Sequence, residues 1–422
     1  MHRVFPCPGP VASLRFFEIR GPVAHVLLLT AHCLQPIHPF ERNQPMASGQ
    51  RFHALDSLRG ICALAVVLYH LHVVGSLTEL AFFRSADLFV DFFFVLSGFV
   101  ITHAYGARHD LDLRRFFILR TFRLAPLHVC LLGAFILFEF VKWGAAQQGV
   151  NFNKEPFTGM YAPSQILPNL LLIQAWTPLT ENMSFNYPSW SISIEYYMYL
   201  VFAAVVLCTS ARRVLVWAGI VIGAGALLYS GAGPFTALAY KGLACFFAGA
   251  LCYKVFEILR RKGQLGFRVA SLLEVLAGGL IVWTLSSDDP NKAVLASGLF
   301  CLTVTLYAFD AGVVSSLLKM RLFELLGRLS YSIYLTHVII LSVLILLFMV
   351  LEKKTGLTLA PVFGDFRYLD SGYVWLNNLI VALVLLAVVG ISFVTYHLIE
   401  VNGQKLGRRL LGQRMPVQAV PG

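Results

Sequence analysis

Charge is what this chain has least of. Only 13% of its 422 residues are Asp, Glu, Lys or Arg, against 58% hydrophobic, where a soluble domain carries about 25% charged residues. That excludes a water-soluble core and points to a polytopic membrane protein. Cysteine organisation is missing too. The eight cysteines include no C-x-x-C pair, and six fall in apolar stretches. They read as small apolar packing residues, neither a zinc site nor a disulfide framework. No internal repeat, low-complexity tract or added soluble domain is visible.

Residues 1–45 are rich in Pro and His, and their longest apolar run, Val23–Leu34, is short beside the roughly 20 residues a bilayer requires. Arg15 and Arg20 interrupt any signal-peptide pattern. The segment is expected to be disordered or a start-site extension, with the working protein beginning near Met46. Residues 46–410 form one transmembrane domain, and 411–422 a flexible tail. The fold expected is an all-α bundle of about ten spans: 60–78, 86–105, 124–143, 190–210, 214–231, 235–254, 268–286, 293–310, 329–350 and 375–397. With the N-terminus inside, nineteen Lys and Arg fall in inner segments and eight in outer ones. This predicts cytoplasmic N- and C-termini. It also accounts for much of the +11 net charge without nucleic acid.

Arg59 and His70 lie eleven residues apart in the first span. Eleven residues make about three helical turns, so both share one face about 16 Å apart. Ionisable groups inside a membrane helix are costly and mark functional sites. Arg59 alone is also a topology anchor, His70 alone a core histidine, and His72, about 200° further round, is the rival imidazole. Asp56 suits helix capping or pairing with Arg59. Asp87 and Asp91 share a face of the second span, followed by Ser97-Gly98, where a second backbone can approach closely. Arg120 and Arg123 form an R-x-x-R pair suited to phosphate, and equally to lipid headgroups. Ser191 and Glu195 share a face in the fourth span, where a carboxylate needs a partner. His337 and its neighbouring tyrosines read as structural hydrogen-bonding groups.

Five motifs in order carry a resemblance over about residues 51–400. They are Leu55-Asp56-Ser57-Leu58-Arg59-Gly60 with His70, Asp91 to Phe99, Arg120-x-x-Arg123, Ser189-Trp190-Ser191-x-Ser193-x-Glu195, and Gly327-x-x-Ser330-Tyr331-Ser332-x-Tyr334-Leu335-x-His337. The chain resembles the acyltransferase-3 family of integral membrane O-acyltransferases. The family's closing Glu followed by Pro is half present, as Glu400-Val401-Asn402.

The resemblance implies transfer of an acyl group, usually acetyl, from cytoplasmic acyl-CoA to a hydroxyl of a surface or lipid-linked glycan, at the inner membrane. His70 is the candidate general base or acyl carrier, since a base near neutral pKa contributes about 10²–10⁴-fold. Arg59, Arg120 and Arg123 would hold the CoA phosphates, and Ser97-Gly98 would leave room for the acyl arm. Glu195 and Asp91 would orient acceptor or imidazole. No metal-ligand spacing is present, and a thioester needs no metal to be attacked. The alternatives are a glycan transporter or flippase, and a non-catalytic acyl-CoA-binding subunit. N-terminal sequencing of natively expressed protein is expected to begin near Met46; peptides from residues 1–45 would refute the start-site expectation.

Overall fold

The computed structural model describes residues 51–107, 111–150, 152, 155–209 and 211–412. The expectations for the N-terminal extension and for residues 413–422 lie outside the described residues. Ten long helices follow one another: α1 (His53–His70), α2 (Phe89–Tyr105), α3 (Leu113–Gln147), α4 (Ser189–Cys208), α5 (Arg213–Ser230), α6 (Ala237–Lys262), α7 (Phe267–Ser286), α8 (Lys292–Tyr307), α9 (Arg321–Thr355) and α10 (Val374–Thr395). A π turn, Tyr396–Glu400, joins α10 to α11 (Val401–Leu410). Among the described residues the strands are two residues each, Val362–Phe363 pairing with Phe366–Arg367.

Among the described residues, eight helical stretches are long and apolar enough to cross a membrane, so this is a multi-pass helical membrane protein. α1 and α8 are the two expected spans outside that set. α8 has 16 residues, and α1 carries Asp56, Arg59 and two histidines. The first expected span, 60–78, is also corrected in extent. The helix stops at His70, and Leu71 is already extended. Gly75 then turns with φ +60°, a left-handed conformation that favours glycine. Ser76 accepts a hydrogen bond from the Thr78 amide, and Val73 bridges to Leu369. His70 therefore closes its helix instead of lying within it.

Two close helix crossings position the interior. At the first, a Cβ on Gly60 would overlap the Leu326 and Gly327 backbone, and one on Gly327 would overlap the Asp56 carbonyl. α1 and α9 thus meet backbone to backbone, as small residues permit in membrane bundles. At the second, Gly98 on α2 meets the Phe246 carbonyl of α6, and Gly249 of α6 meets the Val95 carbonyl. Around them packs an apolar core that includes Phe92, Phe99, Phe202, Phe246 and Phe300. α3 is capped by Asp112, whose side chain accepts from the Arg115 amide at 3.0 Å. Gly403 and Gly407 of α11 seat against Pro126 and Phe122 of α3, which brings the π turn next to the start of α3.

Charged groups buried away from these crossings are paired, as burial requires. Asp91 of α2 is fully buried, 3.0 Å from Lys241 Nζ of α6, and accepts from Ser297 Oγ of α8 at 3.1 Å. Glu274 of α7 accepts from the Gly312 and Ser315 amides, each at 3.0 Å, and so caps the short helix Val313–Leu318. Removing one member of a buried pair leaves an uncompensated charge. Lys241→Met should therefore lower stability by about 3 kcal/mol. Asp91→Asn combined with Lys241→Met should recover most of that loss, both read by thermal unfolding in detergent. Equal stability of the single variant and wild type would dismiss the pair as a tether.

Candidate active site

Three polar side-chain pairs join α1 to α9: His53 Nδ1 with Glu324 Oε1 at 2.8 Å near the start of both helices, and two that lie deeper. In the first half of α1, Arg59 Nε donates to Ser330 Oγ at 2.7 Å, and Ser330 Oγ donates to the Gly327 carbonyl at 2.9 Å. At the end of α1, His70 Nδ1 lies 3.0 Å from His337 Nε2. All three pairs advance in the same sense along both helices, so α1 and α9 run parallel here.

Beside Arg59 is a cavity of about 190 Å³. Asp56 and Arg59 of α1, Ser97 of α2, Arg120 and Arg123 of α3, and Ser191, Glu195 and Tyr199 of α4 line it. Ser330, Tyr331 and Tyr334 of α9 close the wall. Five helices therefore converge on one chamber, and it gathers all three arginines singled out from the sequence. The three-residue spacing of Arg120 and Arg123 keeps both on one side of α3. The Arg120 guanidinium lies over the Tyr199, Tyr105 and Phe116 rings at 5.4, 5.6 and 5.8 Å. Its Nε is buried with no hydrogen-bond partner. A donor left unsatisfied in a cavity holding three guanidiniums suits an anionic ligand such as a phosphate.

Glu195 lines this chamber together with a second acid, Asp56. Glu195 Oε1 accepts from Ser97 Oγ at 2.6 Å and from Tyr199 Oη at 2.5 Å. The partner that a membrane carboxylate requires is thus a pair of hydroxyls, and Arg123 stands within electrostatic reach. Glu195, expected to orient the acceptor or the imidazole, stands in the chamber with the arginines. Glu400, from the π turn, accepts from Ser332 Oγ at 3.1 Å and joins Glu195 and Asp56 as a third negative charge near Arg123 and Arg59. π segments interrupt helices often at functional sites.

His70 lies outside that lining, beyond Tyr334. The His70 and His337 ring planes are within 23° of each other, with centroids 5.0 Å apart, and Tyr187 meets His70 edge-on at 4.8 Å. Tyr334 stands between cavity and dyad, 6.2 Å from the His337 ring. His337 Nδ1 is 3.3 Å from the Ile333 carbonyl, which only a protonated nitrogen can satisfy. The network therefore assigns the tautomers. His337 donates from Nδ1, its Nε2 accepts from His70 Nδ1–H, and the lone pair of His70 Nε2 is left free.

Two residues expected at the site stand elsewhere. Asp91 is committed to Lys241 and Ser297. Gly98 faces the α6 backbone, while its neighbour Ser97 reaches the chamber. His72, the rival imidazole, lies beyond the helix, its ring 4.7 Å from Phe366 and parallel to within 10°. Sequence reasoning missed Tyr199, Ser330 and the pairing of His337. Four-residue spacing from Glu195 could have flagged Tyr199. The two-turn spacing of Ser330 and His337 could have flagged a common face. Nothing local announces Tyr187, while Glu400 was visible only as the half-present closing motif, with no role attached.

A family model described as an acyltransferase domain matches residues 52–397. Acyltransferase MdmB of Streptomyces mycarofaciens is 32% identical over 164 residues, covering 36% of this chain and 38% of its own length. Peptidoglycan O-acetyltransferase OatA of Listeria monocytogenes is 22% identical over 320 residues, covering 67% of this chain and 48% of its own length. O-acetyltransferase OatA of Staphylococcus aureus is 23% identical over 332 residues, covering 71% and 52%. This chain thus spans about half or less of the length of these curated relatives. No solved structure matches it. The family match covers most of the chain and contains the whole chamber and both histidines, so the chain belongs to the acyltransferase-3 family of membrane acyltransferases.

Proposed function

We propose that this protein transfers an acyl group, acetyl in the first instance, from acyl-CoA on the cytoplasmic side to a hydroxyl of a surface or lipid-linked glycan. The observation that carries this reading is the three-arginine chamber ending one ring short of the His70–His337 dyad. Relatives named as peptidoglycan O-acetyltransferases support the acceptor class. The Lys and Arg distribution supports cytoplasmic termini in the cytoplasmic membrane, with the chamber opening inward.

In the proposed reaction Arg59, Arg120 and Arg123 hold the phosphates of the donor. Arg120, already stacked and with a free Nε, loses little freedom on binding. Ser97, Tyr199 and Glu195 keep the guanidiniums apart and oriented. His70 Nε2 takes the proton of the attacking hydroxyl as its oxygen bonds to the thioester carbonyl carbon. The C–S bond breaks, and the imidazolium returns the proton to the departing thiolate. His337, by accepting from His70 Nδ1–H, fixes the reactive nitrogen and spreads the charge that forms. Ester and free thiol are the products, with no net proton change. Asp91 and Gly98 serve by holding α2 against α6, and the donor is a substrate requiring no metal at these residues.

Full-length protein in lipid nanodiscs should release CoA from acetyl-CoA when peptidoglycan fragments are supplied. His70→Ala should lower turnover at least 100-fold with acetyl-CoA binding kept, as expected for loss of a general base. His70→Ala with wild-type turnover would overturn the assignment. No release by wild-type protein that binds acetyl-CoA would overturn the transferase reading. Arg120→Gln should weaken acetyl-CoA binding by about 10–100-fold, the worth of a charge-assisted hydrogen bond. His337→Leu should lower kcat without changing acetyl-CoA binding, and His337→Gln, which restores an acceptor for His70 Nδ1–H, should recover part of the loss. Equal loss in both would assign His337 to packing alone.

A further inference from the structure

A second cavity, of about 240 Å³, lies along the same two helices as the first. On α9, Ser330 and Tyr334 line the arginine chamber, His337 follows, and Ser342, Leu346 and Met349 line the second cavity. On α3, Arg120 and Arg123 line the first, and Phe135, Glu139 and Lys142 the second. The rise of 1.5 Å per residue puts Ser342 about 7 Å beyond His337 along the axis. The dyad therefore stands between the two cavities. A layer of rings joins them: Tyr161 of the second cavity meets Phe185 at 6.2 Å, and Tyr187, two residues on, meets His70.

We propose that this second cavity binds the saccharide acceptor and presents its hydroxyl to His70. The inference rests on the transferase reading and names the acceptor's place within it. Its chemistry is that of a sugar site. Sugars offer C–H faces to aromatic rings and hydroxyls to fixed polar groups, and here Tyr161 and Phe152 flank a buried ion pair. Lys142 Nζ is 2.8 Å from Glu139 Oε1, 4.6 Å from the Tyr161 ring centre and 5.6 Å from that of Phe152. The Glu139 side chain is 1% exposed and that of Lys142 9%. A buried pair is an expensive wall for a cavity meant for lipid tails. Glu139 also neutralises Lys142, and Arg367, the further cation on this lining, donates from Nη1 to the Ala360 carbonyl at 3.0 Å. The Phe157 amide donates to Glu139 Oε2 at 3.0 Å, which fixes the outer loop as one wall of the cavity. Hydroxyl recognition uses the remaining Lys142 proton and the Ser342 and Tyr161 hydroxyls.

The test uses chitotetraose, a β-1,4-linked N-acetylhexosamine oligomer, with full-length protein in nanodiscs. Saccharide binding is read by saturation-transfer NMR, and acetyl-CoA binding and CoA release in parallel. Wild type should bind chitotetraose. Tyr161→Ala, which removes one ring, should weaken that binding about tenfold and leave acetyl-CoA binding unchanged. Ser342→Trp, which fills the cavity, should abolish it. Undiminished binding in both variants, or no saccharide binding by wild type, would overturn the proposal. Parallel loss of acetyl-CoA binding in both variants would also overturn it, assigning the cavity to general folding. Wild type that binds the saccharide but never releases CoA would sink the transferase reading while leaving the sugar site standing.

Discussion

The backbone contact of α1 with α9 at Gly60 and Gly327 is what the rest of the site depends on. A single methyl at either position would collide with the opposing main chain. Because the helices touch there, Arg59 reaches Ser330 and His70 reaches His337, across about 270 residues of sequence. In a bilayer, where lipid tails are as apolar as leucine, burial of apolar surface gives little reason for two helices to associate. Close packing of small residues and interhelical hydrogen bonds supply it instead. The same contacts that assemble the bundle thus assemble the chemistry.

Buried charges divide into two kinds. Asp91 with Lys241, Glu139 with Lys142, and Glu274 over the amides of Gly312 and Ser315 are satisfied locally by a cation or by backbone donors. The arginine chamber is arranged otherwise. Glu195 spends its hydrogen bonds on Ser97 and Tyr199, while the Arg120 Nε donor is left over. Unspent donors in a low-dielectric cavity favour an incoming anion strongly, because the desolvation cost has already been met in folding. The dyad is likewise asymmetric. Each imidazole meets a carbonyl of its own helix, Ile333 for His337 and Val66 for His70, and only His70 keeps a free nitrogen.

The family match over residues 52–397 includes the chamber, the dyad and the second cavity, and ends before Glu400. The family match therefore takes in the membrane unit that carries these three features. Glu400 accepts from Ser332 at the turn from which α11 packs on Pro126 and Phe122 of α3.

Hydrophobic runs long enough to cross a bilayer are a one-dimensional property. Class, helix content and most spans were therefore legible in residue order alone. So were Arg59, Arg120, Arg123 and Glu195 as charged residues too costly to bury without purpose, and Ser97 as part of a point of close backbone approach; all five meet in one chamber. Residue order could not tell which costly residues face one another. Asp91 looked as functional as Glu195 until α6 supplied Lys241. His337 looked structural until the α1–α9 crossing set it against His70. The end of α1 at His70 was set from outside the helix too, by the pairing of Val73 with Leu369. Periodicity reports the face of a helix on which a side chain stands. Only tertiary packing decides what that face meets, and in a membrane the partner settles whether a charge is tether or tool.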